Sequence, residues 1–236
     1  MGARNAGERD EGLSLAREAE PLRLDLGERD VGALTLRAER HRATLVLGHG
    51  AGAGMEHANM AGIAGAFVGV GLSTFRFNFP YREDGRNRVD AKDVSTATIA
   101  AALGAAQDRL DGPYLLGGHS FGGRMASHAV VDHALDVAGL VFCSFPLHNP
   151  RKPSLARAEH MDTIGCPMLF LSGSRDGMAS ADLMTELTSR LGATLHWLET
   201  ADHGYKVLKR TRTRTDDVFA EMAGHVDAWL GEKLGV

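Results

Sequence analysis

Residues 118–122 read Gly-His-Ser-Phe-Gly and stand between the apolar run 114–116 and a stretch whose composition suits a helix. A serine in such a Gly-x-Ser-x-Gly segment lies on a sharp strand-to-helix turn, where flanking side chains would collide with the strand and the helix. The pattern predicts a strand, a tight turn and a helix, with Ser120 exposed at the turn as a nucleophile. The chain has 29 glycines in 236 residues, so the pentapeptide alone is weak evidence.

Two further polar residues follow Ser120 in the order that such a nucleophile requires, an acid and then a histidine. Asp176 comes just after the apolar run 168–171, and His203 comes after the run 195–198. Both positions fall where a parallel strand would end, which is the edge of an open sheet on which ligands bind. The order predicts that Ser120, Asp176 and His203 meet at this edge.

The other carboxylates are weaker candidates for the acid, because they lie in helix-like or polar stretches or beside the histidine itself. Asp202 neighbours His203, but adjacent side chains diverge, so it is a poor partner for the imidazole. Asp176 has an alternative role of its own, since an aspartate in this setting also serves as a helix N-cap or a turn residue. The remaining carboxylates set aside on these grounds are Asp132, Asp136, Glu159, Asp162 and Asp182.

A glycine-rich segment, 49–54, follows another apolar run. Acyl transfer generates an oxyanion, and backbone N–H groups that approach it closely stabilise it. The predicted donors are the amides of Phe121 and Ala51, with Gly52 as the substitute. The segment also looks like a dinucleotide fingerprint, but it lacks the spacing of that motif, and the uncharged Asn78 stands where an acidic residue would be needed.

Six blocks carry a wider resemblance and occupy residues 45–57, 75–86, 117–127, 145–153, 171–178 and 201–210. On these blocks the chain resembles the small serine α/β-hydrolases related to dienelactone hydrolases. It is most similar to the branch whose bacterial members stand beside eukaryotic regulatory homologues of the NSL acetyltransferase complex. The resemblance covers roughly residues 43–236 and departs from the family at 87–90, where the family more often has arginine and proline. Dienelactone hydrolases use a cysteine at the position of Ser120, so their lactone substrate does not carry over.

The resemblance implies an α/β-hydrolase fold, and the order of apolar segments predicts a mostly parallel twisted sheet with helices on both faces. Two short alternating segments, 22–26 and 31–36, predict an antiparallel hairpin at the sheet edge. Repeated strand and helix patterns follow, and they predict a single domain over 21–236 behind a polar arm at 1–20. The connection 143–166 between two predicted strands is short. We therefore expect a minimal cap or none, and an open pocket.

Composition excludes several classes of function. The net charge is −4, with 24% charged and 44% hydrophobic residues, which is ordinary for a globular protein and opposes nucleic-acid binding through bulk charge. Residues 1–20 carry many charges and no apolar core, so we expect no signal peptide or membrane anchor and a cytoplasmic location. Cys143 and Cys166 are expected to be reduced, although the sequence leaves a disulfide open. No HExxH motif occurs, and His128 and His133 miss a shared helical face, so we expect no metal and no cofactor.

These features together predict a serine hydrolase that cleaves small carboxylic esters or thioesters through an acyl-enzyme on Ser120. Its partner would be a small-molecule ester, and the chain would act as a monomer or a homodimer. The alternative is a non-catalytic binding or scaffold protein on the same fold, since a fold does not guarantee activity.

Several residues around the predicted site have secondary roles. Tyr81 and Arg82 follow a predicted strand and are expected at the pocket rim, where they and Gly52 are candidate substrate-binding residues. We expect His49 and His119 to tie loop backbone by hydrogen bonds rather than to catalyse. The basic run 206–214 begins three residues after His203. It either attracts anionic substrates or is a solvated loop balanced by the acids Asp216, Asp217 and Glu221.

Overall fold

The structure, a computed structural model, describes residues 19–236. The polar arm predicted at 1–20 lies outside the described residues except for its last two positions, and Glu20 already begins the first strand. Within the described residues, no helix has both the length and the apolar character needed to cross a membrane.

One sheet holds the eight strands of the part of the chain that the structure describes. The strands are β1 (Glu20–Asp25), β2 (Asp30–Leu36), β3 (Ala43–Gly48), β4 (Leu72–Phe77), β5 (Tyr114–His119), β6 (Gly139–Cys143), β7 (Met168–Gly173) and β8 (Thr194–Leu198). Their order across the sheet is β1-β2-β4-β3-β5-β6-β7-β8. The pairs β1–β2 and β2–β4 are antiparallel and all the others are parallel, so the predicted hairpin does lie at one sheet edge.

Helices cover both faces of this sheet. They are α1 (Ala58–Val68), α2 (Pro80–Glu83), α3 (Lys92–Gln107), α4 (Phe121–Asp132), α5 (Ala181–Leu191) and α6 (Val218–Trp229). On one face, Met60 and Phe67 of α1 and Met222 of α6 are fully buried against the sheet. On the other face, Ile99 of α3 and Met125 of α4 are buried in the same way. The predicted mostly parallel sheet with helices on both faces is confirmed.

The connection between β6 and β7 contains a 3₁₀ helix, Ala156–Thr163, and no larger insertion. This agrees with the minimal cap expected from the shortness of the segment. Cys143 is buried in β6 and Cys166 is partly buried before β7, and both are free thiols. Because β3 to β8 are parallel, the loops that follow them meet at one edge, which is where the candidate residues lie.

Candidate active site

Ser120 occupies the turn between β5 and α4 and has a left-handed backbone conformation, with φ of 52°. Residues other than glycine seldom adopt this conformation, and here it projects the serine away from both elements. The flanking glycines are required by the neighbouring strand β3. A Cβ on Gly118 would lie 2.3 Å from the Gly48 carbonyl oxygen, and one on Gly122 would lie 2.2 Å from the same atom. Strand β3 leaves no room for side chains beside the turn, so both flanking positions must be glycine.

The three side chains singled out by chain order lie in direct contact. The Nε2 of His203 is 2.8 Å from the Oγ of Ser120, and its Nδ1 is 2.7 Å from the Oδ2 of Asp176. The carboxylate of Asp176 only accepts, so Nδ1 carries the proton and Nε2 is free to accept one from the serine hydroxyl. The Asp176 side chain is fully buried, whereas the imidazole is 26% exposed. The arrangement suits proton transfer from Ser120 to a histidine held by a buried acid.

Asp176 serves its loop and the histidine with different oxygens. Its Oδ1 accepts a hydrogen bond of 2.8 Å from the Met178 N–H, and its own N–H donates to the Gly173 carbonyl at the end of β7. The turn role left open for this aspartate is therefore present. It does not compete with the contact to His203, because Oδ2 makes that contact.

The loop that carries His203 is held by its neighbour Asp202. The Oδ1 of Asp202 accepts 2.9 Å hydrogen bonds from the N–H groups of Gly204 and Lys206. This carboxylate is directed at its own loop, as expected for an adjacent residue. Asp132, another acid set aside, forms a 2.7 Å salt bridge with Lys92.

The backbone N–H groups of both predicted oxyanion donors are free to donate a hydrogen bond. Within residues 19–236, neither the Ala51 N–H nor the Phe121 N–H donates a hydrogen bond. Phe121 directly follows the serine at the first position of α4, where a backbone N–H has no partner inside the helix. The glycine segment is closed by a 3.0 Å hydrogen bond from the Ala53 N–H to the Gly50 carbonyl. Gly52, the substitute donor, is exposed at its tip.

His49 connects this glycine loop by hydrogen bonds to the segment that follows β4. It is fully buried; its Nδ1–H donates to the Gly50 carbonyl at 2.9 Å, and its Nε2 accepts from the Phe79 N–H at 3.1 Å. Burial lowers the pKa of His49 to about 4, so the ring is neutral near pH 7. These contacts are the structural ones expected for this residue.

Tyr81 does not lie at the pocket rim, where it was expected as a substrate-binding residue. It is fully buried, and its hydroxyl donates a 2.9 Å hydrogen bond to the Ala51 carbonyl. The ring packs edge-on against that of Phe121, with centroids 6.3 Å apart. Tyr81 therefore holds the carbonyl of Ala51, on the peptide that carries the Gly52 N–H, from inside the fold. The aromatic residue lies inside because α2 begins at Pro80 and turns the chain inward directly after β4.

With this geometry established, comparison with known proteins identifies the family. A family model described as an alpha/beta hydrolase domain matches residues 41–231. The chain belongs to the α/β hydrolase domain family. The matched residues include Ser120, Asp176 and His203, together with the glycine loop.

Solved structures share the fold of this α/β hydrolase domain at low sequence identity. A serine hydrolase of Xanthomonas campestris, described as lacking a lid, is 17% identical, with a TM-score of 0.67 over 92% of this chain and 94% of the other. Dienelactone hydrolase from Anabaena variabilis is 17% identical, with a TM-score of 0.65 over 92% and 98%. The Pyrococcus furiosus esterase Pf2001 is 14% identical, with a TM-score of 0.70 over 96% of both chains.

Two other predicted features of the hydrolase domain have mixed outcomes. Arg82 is partly buried and its guanidinium lies 3.4 Å from the Asn87 Oδ1, so it remains a candidate for the rim.

In the basic run, Arg212 is buried and pairs with the Glu221 carboxylate at 2.8 Å, and Arg214 pairs with Asp216. The balanced interpretation therefore holds for these two arginines.

The third acid named for that balance has another role. The Oδ1 of Asp217 accepts hydrogen bonds from the Phe219 and Ala220 N–H groups and caps α6. Lys206, Lys209 and Arg210, in the first half of the run, are exposed.

Sequence reasoning missed Asn78, which joins the glycine loop to α2. Its Oδ1 accepts from the Met55 N–H at 2.9 Å, and its Nδ2 donates to the Glu83 Oε2 at 3.0 Å. Its position at the end of β4, on the sheet edge where the candidate residues lie, is the signal that points to it. Over residues 19–236, no three histidine, cysteine or acidic side chains converge in a group that could hold a metal ion.

Proposed function

We propose that the protein is a serine hydrolase that cleaves small carboxylic esters or thioesters through an acyl-enzyme on Ser120. The observation that carries this proposal is the unbroken chain of contacts from the Ser120 Oγ to His203 at 2.8 Å and on to Asp176 at 2.7 Å. The strained backbone of Ser120 adds support, because a non-glycine residue at positive φ costs free energy and is typical of functional sites.

In the proposed reaction, Ser120 attacks the substrate carbonyl while His203 takes its proton, and Asp176 stabilises the imidazolium that forms. The N–H groups of Phe121 and Ala51 donate to the developing oxyanion. One such donor contributes about 3 to 4 kcal/mol where it has been measured. The imidazolium then protonates the leaving alcohol or thiol. Water, activated by the same histidine, attacks the acyl-enzyme and releases the acid.

The short connection between β6 and β7 supports small substrates, because it supplies no large cap to enclose a long acyl chain. The esterase and the serine hydrolase without a lid among the similar structures are consistent with this class. We further propose that residues 21–236 act as one domain. The blocks quoted above support placing it in the branch shared with NSL-complex homologues.

Hydrolysis of p-nitrophenyl esters of graded acyl length, and of matched thioesters, tests the proposal. We expect turnover of the short esters by the wild type and none above background by Ser120→Ala. Ser127→Ala is the matched control, because Ser127 is a fully buried serine on α4. If the folded wild type turns over no member of the panel, the non-catalytic binding or scaffold protein becomes the better account.

A further inference from the structure

Arg124 lies one helical turn after Ser120. Its backbone N–H donates a 3.1 Å hydrogen bond to the Ser120 carbonyl at the start of α4. Side chains on a helix lean toward its N-terminus, so the Arg124 side chain leans toward the turn that carries the serine. The residue is partly buried, yet within residues 19–236 its guanidinium forms neither a salt bridge nor a hydrogen bond.

A second arginine, Arg157, belongs to the 3₁₀ helix that packs against α4, where the Ser127 Oγ lies 2.8 Å from the His160 Nε2. Arg157 is the second residue of the 3₁₀ helix. Its guanidinium donates hydrogen bonds to the Pro146 carbonyl at 3.0 Å and to the Asn149 Oδ1. Burial, and the nearby charge of Arg157, lower the pKa of Arg124. Neither arginine forms a salt bridge with a carboxylate in the described part of the chain. Both arginines are therefore partly buried, and each stands one helical turn before the stacked rings of His128 and His160.

The side chains one turn further along the two helices are histidines rather than acids. His128 of α4 stacks on His160 of the 3₁₀ helix with ring centroids 3.6 Å apart, and burial lowers the pKa of both rings. The nearby carboxylate of Asp132, which opposes this lowering of the pKa, already pairs with Lys92 at 2.7 Å. By contrast, the buried side chain of Arg212 in the basic run has the Glu221 carboxylate as its partner.

We propose that Arg124 and Arg157 form an anion subsite beside Ser120 that binds a carboxylate or phosphate group of the substrate. This inference rests on the proposed hydrolase function and narrows its substrates to esters or thioesters that carry such a group. A partly buried cation without a counter-ion is costly, and an anionic oxygen removes that cost. Guanidinium groups also match the geometry of both carboxylate and phosphate through paired hydrogen bonds.

The test compares three p-nitrophenyl esters: the monoester of glutarate, the ester of 4-phosphonobutanoate and the neutral pentanoate. The readout is kcat/KM for each anionic ester divided by kcat/KM for pentanoate. We expect this ratio to fall by ~10- to 100-fold in Arg124→Gln, the usual effect of losing a charged hydrogen bond. Arg124→Lys should restore part of it. Arg109→Gln, which removes an exposed arginine two residues after the end of α3, should leave the ratio at the wild-type value.

The two anionic esters distinguish a subsite for carboxylate from one for phosphate. A ratio in Arg124→Gln equal to that of the wild type overturns the subsite. If that variant fails to fold, Arg157→Gln is measured in the same way and an unchanged ratio has the same meaning. Failure of the proposed function gives a different result, because the wild type would then show no Ser120-dependent hydrolysis of any of the three esters, including the neutral pentanoate.

Discussion

The Nε2–H of His119 donates a 3.1 Å hydrogen bond to the backbone carbonyl of His203. The same imidazole packs against the glycine loop, since a Cβ on Gly50 would lie 2.8 Å from its Nδ1. The residue before the nucleophile therefore contacts both the loop of the histidine and the loop of the predicted oxyanion donors. Burial lowers the pKa of His119 to about 4, so it makes these contacts as a neutral ring.

Removing this contact should slow the chemical step. In His119→Ala we expect kcat for a short ester to fall about 10-fold, because a lost hydrogen bond is worth about 1 kcal/mol and a misplaced His203 adds to it. KM should change little, since the His119 ring bonds to His203 rather than to substrate. His119→Gln keeps a donor and should recover part of kcat. Steady-state kinetics of the three proteins measure this, and an unchanged kcat in the alanine variant would show that the contact is dispensable.

Asp176 and Asp202 offer a matched pair of aspartates on neighbouring loops. Asp176→Asn should lower kcat by ~10⁴-fold, because the amide cannot hold the imidazole in the tautomer that accepts the serine proton. Asp202→Asn keeps an oxygen for the Gly204 and Lys206 N–H groups and should retain most of the activity. A near-normal rate in Asp176→Asn would mean that another group orients the histidine.

The glycines can be tested by stability. Gly122→Ala places a Cβ 2.2 Å from the Gly48 carbonyl oxygen, so we expect the free energy of unfolding to fall by about 3 kcal/mol or more. Gly104→Ala, inside α3 with open space around its Cβ, should raise it by up to about 1 kcal/mol. Urea denaturation measures both. Equal stability of the two variants would show that β3 does not constrain the turn as closely as the distances indicate.

Acid should destabilise the fold through its buried histidines. His49 and His119 have pKa values of about 4 when folded, against about 6.5 in an unfolded chain. Between pH 6.5 and pH 4 the unfolded state therefore binds more protons, so the free energy of unfolding falls as the pH is lowered through this window. Each histidine contributes up to about 1.4 kcal/mol per pH unit. Urea midpoints measured across this range should fall less steeply for His119→Gln than for the wild type, and identical slopes would contradict the assignment.

The elements around the site could be predicted from the sequence because each joins a short apolar run to a recognisable turn. The run before Gly118 predicts β5, and the runs before Asp176 and His203 predict the ends of β7 and β8. The parallel order of these strands then brings the loops together. Asp176 was favoured over Asp202 because it follows a predicted strand, whereas Asp202 adjoins His203 and adjacent side chains diverge.

Side-chain direction outside regular elements could not be predicted in this way. Tyr81 follows β4 just as a rim residue would, but the one-turn helix α2 directs it beneath the glycine loop. One of the two interpretations of the basic run has Asp217 balancing its charge, whereas the structure shows that Asp217 caps α6. Arg124 lies four positions after Ser120, one turn along α4. Its lack of a partner depends on contacts from distant segments, which no local pattern encodes.

The most direct test of the account is labelling with a fluorophosphonate probe, which requires an activated serine. The Ser120 oxygen would bond to phosphorus as fluoride leaves, and peptide mass spectrometry would locate the adduct. We expect one adduct, on Ser120, which disappears in Ser120→Ala and is strongly slowed in Asp176→Asn. A folded wild-type protein that stays unlabelled, or a label on another residue that persists in Ser120→Ala, would contradict the account.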